Sequence, residues 1–571
     1  MDAIMTYLSE QNLQFVMNNS AHSEVHALII EDQRSASYML KSLLQNLHIY
    51  NVDLASTEQE ATRYCQLKHY DLVIMDYHLN GENTGSELLA NLRTNNLISI
   101  NTTCVIISGD SSHEVILSSM EAKPDAFICK PVNLTSLSEQ LQRACSETAV
   151  RYPFMSIAQQ QGPQAAIHYG LTQLKPLNTQ NRSLHTLLLD MLIAQKDWPQ
   201  LEHVINLVGE VKDVPLLEVA KAHLDIQQES LQDAERRLKT LLKHQPLFLA
   251  AIDLLCQIKI KQHEFSEALI YAEQASKLTP NNTERIMLLA RLAVKEKEYD
   301  IFNKTGDMLA AHLHFQESNW LVQLTDYVVL CESVYQQKKQ LKAQQNNYKE
   351  INLFFQKVKL RLPKRHYSSF YALANIALAR NELLHNSPHR AKQHIYLALT
   401  PHLTELNNLS LVVQIYALTP IMELAESNLS MVIYQSMKNN NTLTVTLKNQ
   451  LQKLKQSLLF KRHLQLIKAL KEAKNALSHQ PTEALMHYNK VLEAHPACSE
   501  AHLGRLEASL KLQNMDKNLI LTSFSAITLV ALPLPLKIWC DELAKKYQEL
   551  GISSPLHKHR QGELFARPAI S

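Results

Sequence analysis

The sequence predicts two architectures in one chain: an α/β domain with a doubly wound parallel sheet, then a long all-α region of stacked helices. Two observations carry the first part and one the second. Short apolar runs within the first 150 residues end abruptly on charged or hydroxyl groups, as buried parallel strands do. Segments of helical length separate them, giving five β/α alternations. Beyond residue 150, helical periodicity persists with few breakers: the chain has ten glycines in 571 residues, seven of them after residue 150, against an average near 7%.

The strands come first. Leu72-Val73-Ile74-Met75 ends on Asp76, Ala27-Leu28-Ile29-Ile30 runs into Glu31 and Asp32, Cys104-Val105-Ile106-Ile107 ends on Ser108, and Ala126-Phe127-Ile128-Cys129 runs into Lys130. Parallel strands deliver their carboxyl ends to one edge of the sheet, where open α/β folds place their ligands. That edge therefore receives three carboxylates, a hydroxyl and an ammonium. Carboxylates held together repel and call for a cation, and an all-oxygen hard site suits Mg²⁺. A metal-neutralised carboxylate can attack phosphorus, and Lys130 and Ser108 would then meet the transferred oxygens. An ordinary acidic loop rim would explain one such cluster but not four converging strand ends.

These residues and their spacing resemble the receiver domain of bacterial two-component response regulators, a flavodoxin-like five-stranded fold, over residues 25–146. The acidic pair Glu31-Asp32, the acceptor Asp76, the hydroxyl Ser108 and the Lys130-Pro131 pair match it; Asp76 lies 44 positions after Asp32 and Lys130 lies 22 after Ser108. The resemblance implies phosphorylation of Asp76 by a sensor or hybrid histidine kinase. It implies Mg²⁺ held by Glu31, Asp32, Asp76 and the backbone carbonyl of His78, and Phe127 in the place of a switch aromatic. Asn80 stands where the family often has proline, and Gly109 keeps the small residue after Ser108. Helices are expected near 34–47, 57–68, 85–94, 112–121 and 134–145, the last with Asn133 as N-cap, followed by a linker near 146–152.

Residues 1–24 are expected to form an amphipathic extension. From 153 to 315 the periodicity has a fixed step. Pro246 and Pro280 close successive units 34 residues apart, and Ala268 and Ala275 are small where two helices must approach. Length and pattern resemble tetratricopeptide repeats, which implies a protein-binding solenoid. The consensus fades over 316–460, expected to be divergent helical repeats, and returns over 461–550 with Ala484, Tyr488, Val491 and Pro496. Residues 551–571 form a tail.

Several function classes are excluded or disfavoured. The net charge is +2, with 57 basic and 55 acidic residues, so nothing global points to nucleic acid. The eight cysteines form no CxxC pair and suit small core positions in a reducing cytoplasm. The start of the chain lacks a basic, apolar leader, and no stretch nears the ~20 apolar residues of a membrane span. The strings Glu267-Ala268-Leu269 and Glu483-Ala484-Leu485 evoke a cyclic-dinucleotide phosphodiesterase, but both fall at one repeat position where packing demands alanine. No P-loop, kinase signature or cyclase loop is present, so the chain is expected to accept a phosphoryl group, and at most lose it slowly, without other enzyme activity. Lys453, Lys455, Lys461, Arg462, Lys468, Lys471 and Lys474 face one acid, Glu472. This run is expected to be a solvated helix face, with binding of nucleic acid the alternative. The sequence-level conclusion is a cytoplasmic response regulator whose repeats bind a protein partner, in the manner of auxiliary regulators that adjust another signalling protein. A phosphorylation-independent scaffold is the remaining alternative.

Overall fold

A computed structural model describes residues 25–80, 83–174, 182–208, 215–315, 319–337, 341–403, 405–438, 445–514, 516–528 and 532–552. The expected N-terminal extension and most of the tail lie outside them. The described chain divides at His312–Leu313 into two compact units.

The first unit opens with strands β1 (His26–Ile30), β2 (Asn51–Ala55), β3 (Leu72–Asp76), β4 (Thr103–Ser108) and β5 (Ala126–Cys129). They form one parallel sheet in the order β2-β1-β3-β4-β5. Between them run helices α1 (Arg34–Asn46), α2 (Glu58–Leu67), α3 (Gly85–Thr94) and α4 (His113–Glu121), with α5 (Leu134–Gln161) after the last strand. Because strand side chains alternate faces, an unbroken apolar strand needs cover on both sides. Ala27, Ile29, Leu72, Ile74, Val105 and Ile107 meet Leu40, Leu44, Leu137 and Leu141 of α1 and α5. Leu28, Ile30, Val73, Met75, Cys104 and Ile106 meet Ala61, Cys65, Leu88, Leu92 and Val115 of α2, α3 and α4.

Helix starts follow local chemistry. The Thr57, Ser112 and Asn133 side chains each accept a hydrogen bond from the backbone three residues on, and Thr84 forms a reciprocal capping box with Glu87, satisfying N–H groups that no helix turn can reach. One expectation needs correction. Residues 146–152 are no linker: α5 runs for 28 residues with Pro153 inside it. No glycine interrupts residues 134–161. The stretch is also anchored at both ends, by Leu137, Leu141 and Ala144 in the sheet core and by Phe154 in the next core. A rod of roughly 42 Å therefore belongs to both the α/β domain and the first repeat.

Helix pairs follow: α6 (Pro163–Thr172), α7 (Arg182–Gln195) with α8 (Trp198–Val208), α9 (Pro215–Gln227) with α10 (Leu231–His244), α11 (Leu249–Lys261) with α12 (Phe265–Leu278), and α13 (Thr283–Glu296) with α14 (Tyr299–His312). First helices begin at 215, 249 and 283 and second helices at 231, 265 and 299, a step of 34 each time. Ala220, Ala222, Ala234, Ala251, Ala268 and Ala275 are all buried, so the small residues sit where neighbouring helices close on each other. This is a tetratricopeptide-like array.

The second unit is also all-helical: α15 (Trp320–Gln337), α16 (Leu341–Arg361), α17 (Tyr367–Leu384), α18 (Pro388–Leu399), α19 (Leu411–Glu423), α20 (Ser427–Lys438), α21 (Val445–Gln456), α22 (Leu458–Ala476), α23 (Pro481–Ala494), α24 (Ser499–Lys511), α25 (Lys517–Thr528) and α26 (Leu534–Glu549). Buried polar networks join the buried alanines where the consensus fades. Arg380 clamps Glu332 through two bonds of 2.7 and 2.8 Å, and Tyr416 Oη donates to the same carboxylate. Lys392 donates to the Ala497 carbonyl at 2.6 Å and pairs with Glu426 at 3.2 Å, while Ser499 also donates to Glu426. These bonds join residues on both sides of 460, so the stretches 316–460 and 461–550 form one packed body.

Candidate functional site

Glu31 and Asp32 follow the end of β1, Asp76 closes β3, Ser108 closes β4 and Lys130 follows β5. The sheet order reverses between β1 and β3, and that switch point opens a crevice beyond the strand ends. Lys130 Nζ donates to Glu31 Oε2 at 2.9 Å and to Asp76 Oδ2 at 3.0 Å. Glu31 is 2% and Asp76 6% exposed, so two carboxylates share one ammonium away from bulk water. Burial pushes the Glu31 carboxyl above its usual range, with Asp76 adding to the effect against the pull of Lys130. Burial also works against the Lys130 charge, yet its hydrogen bonds to Glu31 and Asp76 outweigh that and raise it.

One ammonium cannot serve three carboxylates. Carboxylate oxygens of Glu31, Asp32 and Asp76 lie within 4.8 Å of one another, and the buried Oδ1 atoms of Asp32 and Asp76 have no hydrogen-bond partner. Buried, anionic and unsatisfied oxygens converging on one point are the donor set of a hard cation. His78 is exposed two residues beyond Asp76, its ring edge-on to Tyr77.

Ser108 is fully buried, and its Oγ accepts from the Asp110 N–H at 3.0 Å. The Lys130 N–H donates to the Ser108 carbonyl at 2.7 Å, which fixes the spacing of these two groups. Phe127 is half-buried and packs against the core beneath α2, α3 and α4. Gly109 faces open space, with nothing within 4 Å of where a Cβ would stand. Gly85 is the residue that sequence reasoning missed: a Cβ there would overlap the backbone carbonyl of Asp76, and its N–H donates to the Tyr77 carbonyl at 2.8 Å. The scarcity of glycine was the available signal, since a glycine opening a helix is otherwise costly.

Elsewhere, the packing reading of the two tripeptides holds. Ala268 and Ala484 are fully buried, and Glu267 pairs with Lys259 at 3.0 Å. Glu31, Asp32 and Asp76 form the one potential cation cluster among the described residues. The basic residues of α21 and α22 point to solvent, apart from Lys455 and Lys474 lying over the rings of Tyr434 and Trp539. Seven cysteines are buried; Cys129, last in edge strand β5, is exposed. No described helix is long and apolar enough to cross a membrane.

Residues 27–142 match the response regulator receiver domain. The chemotaxis protein CheY-3 of Vibrio cholerae serotype O1, from two strains, is 25% identical over 116 residues, covering 20% of this chain and 88% of that protein. Among solved structures, a response regulator from Burkholderia pseudomallei with a phosphorylated aspartic acid, calcium ion and citrate shares 20% identity over 25% of this chain and 91% of its own, with a TM-score of 0.20. The APC/C hetero-tetramer Cut9-Hcn1 shares 12% identity over 72% of this chain and 99% of its own, with a TM-score of 0.22.

Proposed function

We propose, from the premise that residues 27–142 are a response regulator receiver domain, that phosphoryl transfer from a histidine kinase to Asp76 controls how the helical region binds a partner protein. The observation that carries this reading is the unpartnered Oδ1 of Asp76 inside a buried acidic triad with Lys130 already in place. Such an oxygen has no hydrogen bond to give up before it attacks phosphorus.

The residues divide the work. Glu31, Asp32 and Asp76, with the His78 carbonyl, would hold Mg²⁺, which when bound neutralises the triad and takes up charge on the transferring phosphoryl group. Asp76 Oδ1 attacks, forming the acyl phosphate as the bond to the kinase histidine breaks. Lys130 keeps Asp76 oriented and then donates to a phosphoryl oxygen, and Ser108 supplies a second hydrogen bond from the neighbouring strand. Gly85 gives α3 its close approach to the Asp76 backbone. The new group adds about two negative charges and strong acceptors. Phe127 moves inward as Ser108 moves. The repeats are the output, in keeping with a chain that carries no enzyme motif besides the acceptor site, and a partner signalling protein in the cytoplasm is their target.

The test is direct. Purified protein incubated with Mg²⁺ and a small acyl phosphate should gain one phosphoryl group, mapped to Asp76 by peptide mass, and Asp76→Asn should gain none. Partner capture from cells, compared between wild type and Asp76→Asn, then reports the output; identical capture would favour a phosphorylation-independent scaffold.

A further inference from the structure

The α/β domain touches the repeats at a second place besides the shared helix α5. Helix α4 packs against α12, and its last residue, Glu121, reaches the start of α13. Asn282 caps α13, its side chain accepting from the Arg285 N–H at 3.1 Å, and its amide donates to both Glu121 oxygens at 3.2 Å. Arg285, in the first turn of α13, donates to Glu121 through Nη1. Its Nε and Nη2 bind Asp253 of α11 at 3.0 and 2.6 Å, and Nη1 also reaches Thr279 at 2.7 Å. Arg285 is 16% exposed and Glu121 26%. Burial opposes the guanidinium charge, but Asp253 and Glu121 more than compensate and raise its affinity for the proton.

A carboxylate here meets an amide, a guanidinium and the positive end of a fourteen-residue helix at once, three features that favour an anion. Lys123, just beyond α4, adds an exposed pair with Asp190 of α7 at 3.7 Å, which contributes little. We infer that the Asn282–Arg285 end of the repeats is a carboxylate-receiving surface whose resident occupant is Glu121 of the chain's own receiver domain. The occupant belongs to the same chain because α5 is continuous and holds both bodies, so the local concentration of Glu121 far exceeds that of any free carboxylate.

Hydrogen bonds also connect this helix to the acidic site. Helix α4 is a rod roughly 13 Å long. Ser112 caps its start and donates its N–H to Asp110 Oδ1 at 2.8 Å, and the Asp110 N–H donates in turn to Ser108 Oγ. A Ser108 hydroxyl that turns toward phosphoryl oxygens breaks that last bond and frees the start of the rod whose far end is Glu121. Release of Glu121 then uncovers Arg285 and Asn282 for an acidic partner residue. This release rests on the phosphorylation reading above; the contact itself does not.

Hydrogen exchange on the full chain tests both parts. Glu121→Arg should speed exchange in 113–121 and 283–296 on the order of tenfold, the scale of a charge-assisted hydrogen bond, and Glu121→Gln, which keeps an acceptor for Asn282 and Arg285 and leaves the Arg285–Asp253 pair intact, should speed it several-fold less. Unchanged exchange in Glu121→Arg, or Glu121→Gln exchanging as fast as Glu121→Arg, overturns the contact. Protection that grows with protein concentration overturns the same-chain occupant in favour of a second copy. With Asp76 shown by mass to be phosphorylated, the same two segments should loosen in wild type. Their staying protected overturns the coupling. Failure of Asp76 to take phosphate overturns the earlier reading instead, while Glu121→Arg still decides the contact.

Discussion

Asp76 gives one carboxylate oxygen to Lys130 and leaves the other without a partner. The pocket is therefore held together by a single ammonium shared with Glu31. Removing it leaves two buried carboxylates facing each other, which is costly because neither is adequately solvated. Lys130→Ala should lower the stability of the metal-free protein at pH 7 by about 2 kcal/mol, discounted for the partial exposure of the lysine. Added Mg²⁺ should return most of that, in urea melts with and without chelator. The deficit should also shrink as pH falls. Glu31 binds its proton more tightly folded than unfolded, so its neutral form favours folding at low pH and that contribution is lost as pH rises through the folded value. A deficit that grew on acidification would contradict this picture of the pocket. Gly85→Ala forces a methyl group onto the Asp76 carbonyl and should cost about 2 kcal/mol, the scale of overpacking. A neutral result would mean that α3 can retreat from β3 without loss.

At the scale of elements, α5 decides how the two architectures are joined. Replacing Ala149 and Val150 together by glycine costs about 1–1.5 kcal/mol of helix propensity, besides the contact that Val150 makes with the repeat core. Trypsin should then cut at Arg151 at least several-fold faster, although Arg151 pairs with Asp125 at 3.0 Å; unchanged cleavage would show that packing alone holds the junction. The strand ends and the 34-residue step were legible in the sequence because each is a local pattern: apolar runs closed by charge, and small residues at a fixed interval. The continuity of α5 was not, because a polar stretch such as Ser146-Glu147-Thr148 suits a solvated helix as well as a linker, and it is burial of Thr148 against Thr103 and of Phe154 in the next core that distinguishes the two. Gly85 escaped notice for a similar reason, since its demand comes from backbone 9 residues earlier. The fading consensus of 316–460 has its counterpart in the Arg380–Glu332–Tyr416 and Lys392–Glu426 networks, whose partners lie 34 to 105 positions apart and leave no periodic trace. In the final repeats Tyr488 is fully buried with an unsatisfied hydroxyl. Tyr488→Phe should therefore be neutral or stabilising by up to ~1 kcal/mol, whereas Gly504→Ala, which would drive a methyl into the Tyr488 ring, should unfold this end of the molecule.

At the scale of the whole molecule, two buried histidines of the second unit, His463 and His502, resist protonation. Burial pushes His463 down to about 4 and His502 to about 3, partly offset by hydrogen bonds to backbone carbonyls. Each folds in its neutral form, so the stability they support is present above the unfolded value of 6.5 and lost as pH falls toward the folded values. Helical ellipticity should melt at a lower temperature at pH 5 than at pH 7.5. His463→Gln should reduce that difference by roughly 1–2 kcal/mol; an unaltered difference would place the acid sensitivity elsewhere. None of this depends on the aspartate pocket, which allows the two chemistries to be separated. One event in the first unit, phosphoryl transfer to Asp76, governs the rest. Full-length protein with Mg²⁺ and a small acyl phosphate, weighed intact and then mapped by peptide, measures it most directly. One phosphoryl group on Asp76, absent from Asp76→Asn, is the predicted result; an unmodified chain, or label at another residue, would contradict it.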